Sequence, residues 1–172
     1  MTGTITDLRD QMSAHDAVLL ARAVLLAEVS RSEGNHPFGA VLAEGTRVLL
    51  TAVNSVITAS DPTGHAEVNL VRAAGQRYDR RQLTGMTLYS NCEPCAMCAG
   101  AIYWSGIGRV VYALSERELL AFTGSSPDNP TMSLPCRDVF AAGQRVIEVI
   151  GPIDLRAARE IHEGFWRTTT ER

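Results

Sequence analysis

The chain has 172 residues, 45% hydrophobic and 20% charged, which fits one globular domain with a sizeable core and excludes a disordered or fibrous polypeptide. The net charge is −3, and every one of the sixteen basic residues is arginine. That leaves little of the positive surface a large nucleic-acid footprint needs, so a nucleic-acid partner is not expected.

Ser13 followed by Asp16 is a capping signal, and Val18, Leu19, Ala21, Leu25, Leu26 and Val29 give a helical apolar stripe ending near Gly34. The apolar stretch 17–29 carries Arg22 and Glu28 and is too short to cross a bilayer. No N-terminal signal pattern precedes it. Segments 38–43 and 47–53 flank Glu44-Gly45-Thr46 and read as a hairpin. A loop from Asn54 to Gly64 leads into a helix from Ala66 to about Gln76. Met86 to Ser90 is a short strand, followed by a helix that runs to about Ser105. Residues 109–113, β-branched and compact, are the clearest strand. Residues 116–122 read as helical, and 123–135, with three prolines and Gly124, as a long loop of the kind that often carries function. A helical turn at 137–142, a last strand at 146–150 and an amphipathic helix at 155–166 complete the order. A hairpin entering alternating units predicts one α/β domain over 1–172, its core about 13–152, with a mixed sheet and helices on both faces.

The chemistry lies in His65-Ala66-Glu67 and Pro94-Cys95-Ala96-Met97-Cys98. His65, Cys95 and Cys98 make three zinc ligands; three protein ligands leave room for an activated water, whereas four close the site. Glu67, two residues from the histidine, is placed to hold that water and move its proton. Cys95 and Cys98, three apart, share one side of a helix start, with Pro94 suited to the first helical position and the positive helix end favouring thiolates. In a regular helix His65 and Glu67 would point about 200° apart, so His65 must sit at a loop-to-helix junction, which Asp61-Pro62-Thr63-Gly64 can supply. Two other readings are a redox C-x-x-C pair and a closed structural site with Cys92 as fourth ligand, as in a zinc-stabilised binding module. Glu67 favours the open site, since a structural one has no use for it. Cys92 and Cys136 then read as small buried residues. Four cysteines, three of them around a metal motif, are no disulfide framework and fit a reducing cytoplasm.

At these residues the chain resembles the cytidine deaminase superfamily, in the branch of guanine, cytosine and tRNA adenosine deaminases. The resemblance runs over about Glu33 to Ala113, through Pro37-Phe38-Gly39-Ala40-Val41, Asp61 to Glu67, Cys92 to Cys98 and Ala101-Ile102-Tyr103-Trp104. It implies a three-layer α/β/α fold with a five-stranded mixed sheet, and hydrolytic loss of ammonia from an aminated base. It implies zinc on His65, Cys95 and Cys98, with Glu67 as proton shuttle. Phe38 belongs to its substrate pocket, Asn54 matches an asparagine that bonds the base, the N–H of Ala66 a main-chain contact, and the carbonyl of Glu93 an acceptor for the departing amine. Guanine is the first substrate expected, with Asp128 accepting from its N–H edge. Cytosine, a pterin, a triazine or adenosine, including that of tRNA, are alternatives. A homodimer through Ile102, Tyr103 and Trp104 is expected as well. His15 and His162 read as polar-face helix residues and His36 as a loop residue. Phe165 and Trp166 either anchor the last helix or cover the site.

Overall fold

The computed structural model describes residues 12–124, 126 and 129–166. Helix α1 (Ala14–Ser32) precedes the hairpin β1 (Gly39–Glu44) and β2 (Arg47–Val53). Next come α2 (Ala66–Gly75), α3 (Arg80–Thr84), β3 (Thr87–Cys92), α4 (Ala96–Ser105) and β4 (Arg109–Leu114). Then follow α5 (Glu116–Thr123), α6 (Cys136–Ala141), β5 (Glu148–Ile150) and α7 (Arg156–Glu160). The five strands form one sheet in the order β2-β1-β3-β4-β5. β1 is antiparallel to β2 and β3, whereas β3, β4 and β5 run parallel. The mixed sheet and the α/β/α layering are therefore as expected.

The period of two along the strands sorts side chains between two cores. Val41, Ala43, Tyr89, Val111 and Ala113 face α1 and α7. Ala40, Leu42, Leu88, Val110 and Tyr112 face the other side, with Leu70 of α2, Ile102 of α4 and Phe140 of α6. The last turns of β3 and β4 end side by side, where the N–H of Glu93 reaches the carbonyl of Leu114 at 2.7 Å. β2, antiparallel to β1 like β3, ends at this same edge of the sheet, so α2 and α4 both start there.

Several expectations need correction. The Ser13–Asp16 capping box opens α1, but the stripe behind it is misassigned. Leu20, Ala23, Val24 and Ala27 are buried with Leu19, whereas Val18, Leu25 and Val29 face solvent. Close packing decides the face: a Cβ on Gly39 would lie 2.6 Å from Ala23 O and Ala27 N, so only the alanine side of α1 can approach β1. Helix α3 went unread, although Asp79 and Gln82 cap it reciprocally. β5 starts at Glu148 rather than 146, leaving Val146 exposed. The last helix stops at Glu160 and gives way to turns over 161–165, with Gly164 at φ +65°. No helix among the described residues is long and apolar enough to cross a membrane.

The residues expected at a dimer interface also differ from one another. Ile102 is fully buried in its own chain. The Tyr103 hydroxyl accepts from the N–H of Gln144 at 2.8 Å, and Arg145 lies over its ring. Trp104 alone of the three is exposed, at 75%.

Candidate active site

His65 occupies the N-cap of α2, with extended backbone (φ −67°, ψ 148°), so it points away from the helix it precedes. Glu67, the second residue of the helix, then faces the same side, which resolves the 200° problem. The turn behind it is tightly made. The Asp61 carboxylate accepts from Thr63 N at 2.8 Å and Thr63 Oγ1 at 2.7 Å, and Gly64 N donates to Asp61 O at 2.9 Å. A Cβ on Gly64 would meet Ser55 Oγ at 2.7 Å, so glycine is needed for this approach. Asn69 ties the loop to the sheet by donating to Val53 O and Ser55 Oγ, each at 3.0 Å.

Cys95 is likewise an N-cap, of α4, and Pro94 therefore lies just outside the helix rather than at its first position. Cys98 follows within the first turn. Its Sγ is 3.6 Å from that of Cys95, and His65 Nδ1 lies 3.5 Å from Cys98 Sγ and 3.7 Å from Cys95 Sγ. Nitrogen and sulfur ligands on one tetrahedral zinc, at about 2.0–2.3 Å, sit about 3.4–3.8 Å from each other. The three side chains thus fit the ion without rearrangement, and they are the one such group among the described residues.

The electrostatics favour the ligand form at Cys95 and oppose it at Cys98 and His65, so an ion would displace protons from those two. The hydrogen bond from Cys98 brings the Cys95 thiol down to about 4 against the effect of burial, and His65 helps. Cys98, as the donor to that thiolate and deeply buried, is pushed up. His65 is raised: burial pulls it down, but the bond to Cys95 and the charge of Glu67 outweigh it. Glu67 is 4% exposed; burial and the nearby Cys95 raise its carboxyl, while Ser90 Oγ donates to Oε1 at 3.0 Å. Its other oxygen is 3.5 Å from Cys98 Sγ.

Cys92 is not part of the group. It is buried at the end of β3, and its Sγ lies 3.2 Å from His162 Nε2. Cys92→Ser is accordingly expected to keep the full metal content of the parent, as read by elemental analysis; loss of zinc would restore the closed site. Cys136 is buried as expected, and all four cysteines are free.

A cavity of about 450 Å³ opens beside the cluster, lined by His65, Cys95, Met97, Glu116, His36 and Val56, among others. Phe38 and Glu67 line its inner end with Glu93 and Leu119. Asn54 is fully buried between Phe38, whose carbonyl accepts its N–H, and Val56, whose N–H its Oδ1 accepts at 3.0 Å. Among the described residues its Nδ2 has no hydrogen-bond partner, and a buried donor left in that state calls for an acceptor. Ala66 is the first residue of α2, so its N–H belongs to the helix-end donors without an intrahelical acceptor.

Glu93 has a further role that sequence reasoning did not find. Its carboxylate accepts from the N–H of Glu116 at 3.0 Å and of Cys136 at 2.9 Å, holding the starts of α5 and α6. Asp128 lies outside the described residues. Besides Glu67 and Glu93, Glu116 lines the cavity, 8% exposed and pushed up to about 7 by burial first, then by Cys95, Glu93 and Glu67. The signal was present: Ser115 and Glu118 form a capping box, which puts Glu116 on the first turn beyond β4, at the parallel edge. His36, read as a loop residue, also lines the cavity. His15 is exposed as expected, but His162, read as a polar-face residue, is 1% exposed. Its helix ends before it, and the turn that follows directs the ring inward.

Comparison with known proteins agrees with this geometry. The model of the cytidine and deoxycytidylate deaminase zinc-binding region matches residues 13–114. A probable cytosine deaminase of Schizosaccharomyces pombe is 39% identical over 157 residues, covering 91% of this chain and 95% of that protein. The guanine deaminase of Bacillus subtilis is 44% identical over 100 residues, 58% of this chain and 64% of the other. A solved guanine deaminase from Nitrosomonas europaea shares the fold with a TM-score of 0.72 at 21% identity, over 88% of this chain and 84% of that one. With more than half of the chain matched, including every residue of the His65–Cys95–Cys98 group, this protein belongs to the zinc-binding cytidine and deoxycytidylate deaminase family, whose members are hydrolases acting on C–N bonds.

Proposed function

We propose that this deaminase acts on a small free nucleobase, guanine first, and that His65, Cys95 and Cys98 hold its zinc. The observation that carries the substrate reading is a pair of buried groups: the Glu116 carboxylate, which lines the cavity, and the Asn54 amide donor, which lies between the lining residues Phe38 and Val56 with no partner among the described residues. Together they suit a flat ring that presents an acceptor to one side and N–H donors to the other. Guanine offers a carbonyl and ring N–H groups in that arrangement. A sugar on the ring nitrogen removes one donor, which disfavours nucleosides. Cytosine is the second reading, because the relative named for it aligns over 91% of this chain.

Bound zinc supplies a Lewis acid that brings the pKa of water down toward ~7. Glu67 is the proton carrier: its carboxylate takes a proton, delivers it to a ring nitrogen and then serves the departing amine. One group acts as base and then acid, so no second carboxylate has to take part in proton transfer. Ser90 holds Oε1 so that Oε2 stays on the metal side. Asn54 Nδ2 and the N–H of Ala66 donate to the base, Glu116 accepts from it, Phe38 covers a ring face, and the main-chain carbonyl of Glu93 receives the amine.

Ammonia release from free bases, nucleosides and a tRNA anticodon stem-loop tests the reading. Turnover of guanine is expected. Turnover of the stem-loop or of nucleosides with every free base inert would overturn it, and cytosine with guanine inert would leave the second reading. Glu116→Gln is expected to lose about 1.5–3 kcal/mol in kcat/KM, the worth of a hydrogen bond to a charged group, with zinc content unchanged. An effect under about twofold would remove Glu116 from substrate recognition.

A further inference from the structure

The ring of His162 is buried at the meeting point of three parts of the chain. Trp166 Nε1 donates to its Nδ1 at 3.2 Å. An imidazole nitrogen that accepts carries no hydrogen, so the proton of the neutral ring is on Nε2. That N–H faces Cys92 Sγ at 3.2 Å, at the end of β3 and three residues before Cys95. The ring planes of His162 and Trp166 are nearly parallel, 11° apart with centroids at 6.1 Å, and Phe38 lies 5.4 Å from His162. Trp166 in turn packs 5.1 Å from His36 and 6.1 Å from Phe38, the two rings that line the cavity. Asn91 locks the same wall from the strand side: its Oδ1 accepts from Gly39 N at 2.9 Å and its Nδ2 donates to Pro37 O at 3.0 Å.

From this geometry we propose that His162 is a positioning residue for substrate: as the Nε2–H tautomer it pins Trp166 behind His36 and Phe38 and joins that wall to the end of β3. It touches neither the metal group nor the cavity, so it acts only through the rings it holds. The consequence is a division of labour within kinetics. Loosening the wall weakens the grip on a flat base, which appears in KM, while Glu67 and the His65–Cys95–Cys98 group stay in place and kcat is kept. Burial and the charge of Arg31 bring the His162 pKa down to about 3, so the ring stays neutral through the working range.

The KM arm of the test rests on the proposed nucleobase reading; the fluorescence arm does not. The chain has two tryptophans, so Trp104→Phe leaves Trp166 as its single reporter. In that background His162→Phe keeps an aromatic ring but can neither accept nor donate. It is expected to raise acrylamide quenching of Trp166 about threefold and KM for the base identified by the panel about threefold to tenfold, with kcat and zinc content held within about twofold. His162→Asn, whose amide oxygen can stand in for Nδ1, is expected to bring both back toward the parent. If His162→Phe does not fold, Trp166→Phe, which loses the N–H donor and the second indole ring but keeps a phenyl ring, must show the same rise in KM at constant kcat. Unchanged quenching in His162→Phe, a rise in KM that His162→Asn does not relieve, or a fall in kcat at constant KM overturns the proposal. Where His162→Phe fails to fold, an unchanged KM in Trp166→Phe does the same.

Discussion

Glu67→Gln keeps its zinc and its fold and loses about 10²–10⁴-fold in kcat, the usual contribution of a positioned proton-transfer group. The amide has the shape of the carboxyl and can still accept from Ser90 Oγ, so the buried site stays filled. It cannot take a proton at neutral pH. The wild-type carboxyl is suited to that task because burial raises it above the ordinary carboxylate range, toward the pH at which it must both accept and release. Steady-state kinetics with metal analysis on the same sample checks the result. Turnover within about tenfold of the parent would take the proton-carrier role away from Glu67.

The largest effect on stability is expected far from the site, at Asp16. Its carboxylate accepts from Arg109 through both oxygens, at 2.7 and 3.0 Å, from Tyr89 Oη at 2.7 Å, and from Ser13 N and Oγ at 2.9 and 2.8 Å. The residue is 3% exposed and joins the first turn of α1 to β3 and β4. Asp16→Ala removes the side-chain half of the α1 capping box and, among the described residues, leaves Arg109 paired only with Glu148, at 3.3 Å. A loss of about 3–5 kcal/mol is expected, as for other buried pairs with one partner deleted. Burial pushes the Asp16 carboxyl up, but Arg109, Tyr89 and Ser13 together hold it well below the usual range. A folded-state pKa below the unfolded one stabilises the protein above the unfolded value of ~4, and that contribution fades as the pH falls through the folded value. The gap between parent and variant in urea denaturation should therefore be full at pH 7 and narrow in acid. A gap that widens on acidification would contradict this assignment.

What could be read from the sequence was whatever short spacing enforces. His65 and Glu67 at one helix start, and Cys95 and Cys98 at another, each act within one helical turn, so the convergence of each pair followed from local geometry, while the sheet edge joins the two pairs. The hairpin and the β-branched strand 109–114 were equally local. The face of α1 was not, because burial there is set by what can approach Gly39, and two alanines carry that contact in place of larger residues. Glu116 and His162 were missed for a related reason. A single glutamate at the start of a helix, or a histidine within a mixed-charge run, has no periodicity of its own. Each acquires meaning only when the sheet brings residue 93 beside 116, or residue 92 beside 162.

The Glu93 carboxylate, bonded to the first amides of both α5 and α6, gives the domain a modular layout. The candidate metal group is anchored to the starts of α2 and α4, while Glu116, the carboxylate proposed to face the base, rides on α5, whose first amide is held by that one side chain. The chain leaves this clasp on an excursion after Glu116 and is back at it by Cys136. Length and composition can change within that excursion while its endpoints stay fixed. Selectivity can then diverge on a scaffold whose bond-breaking apparatus is left undisturbed.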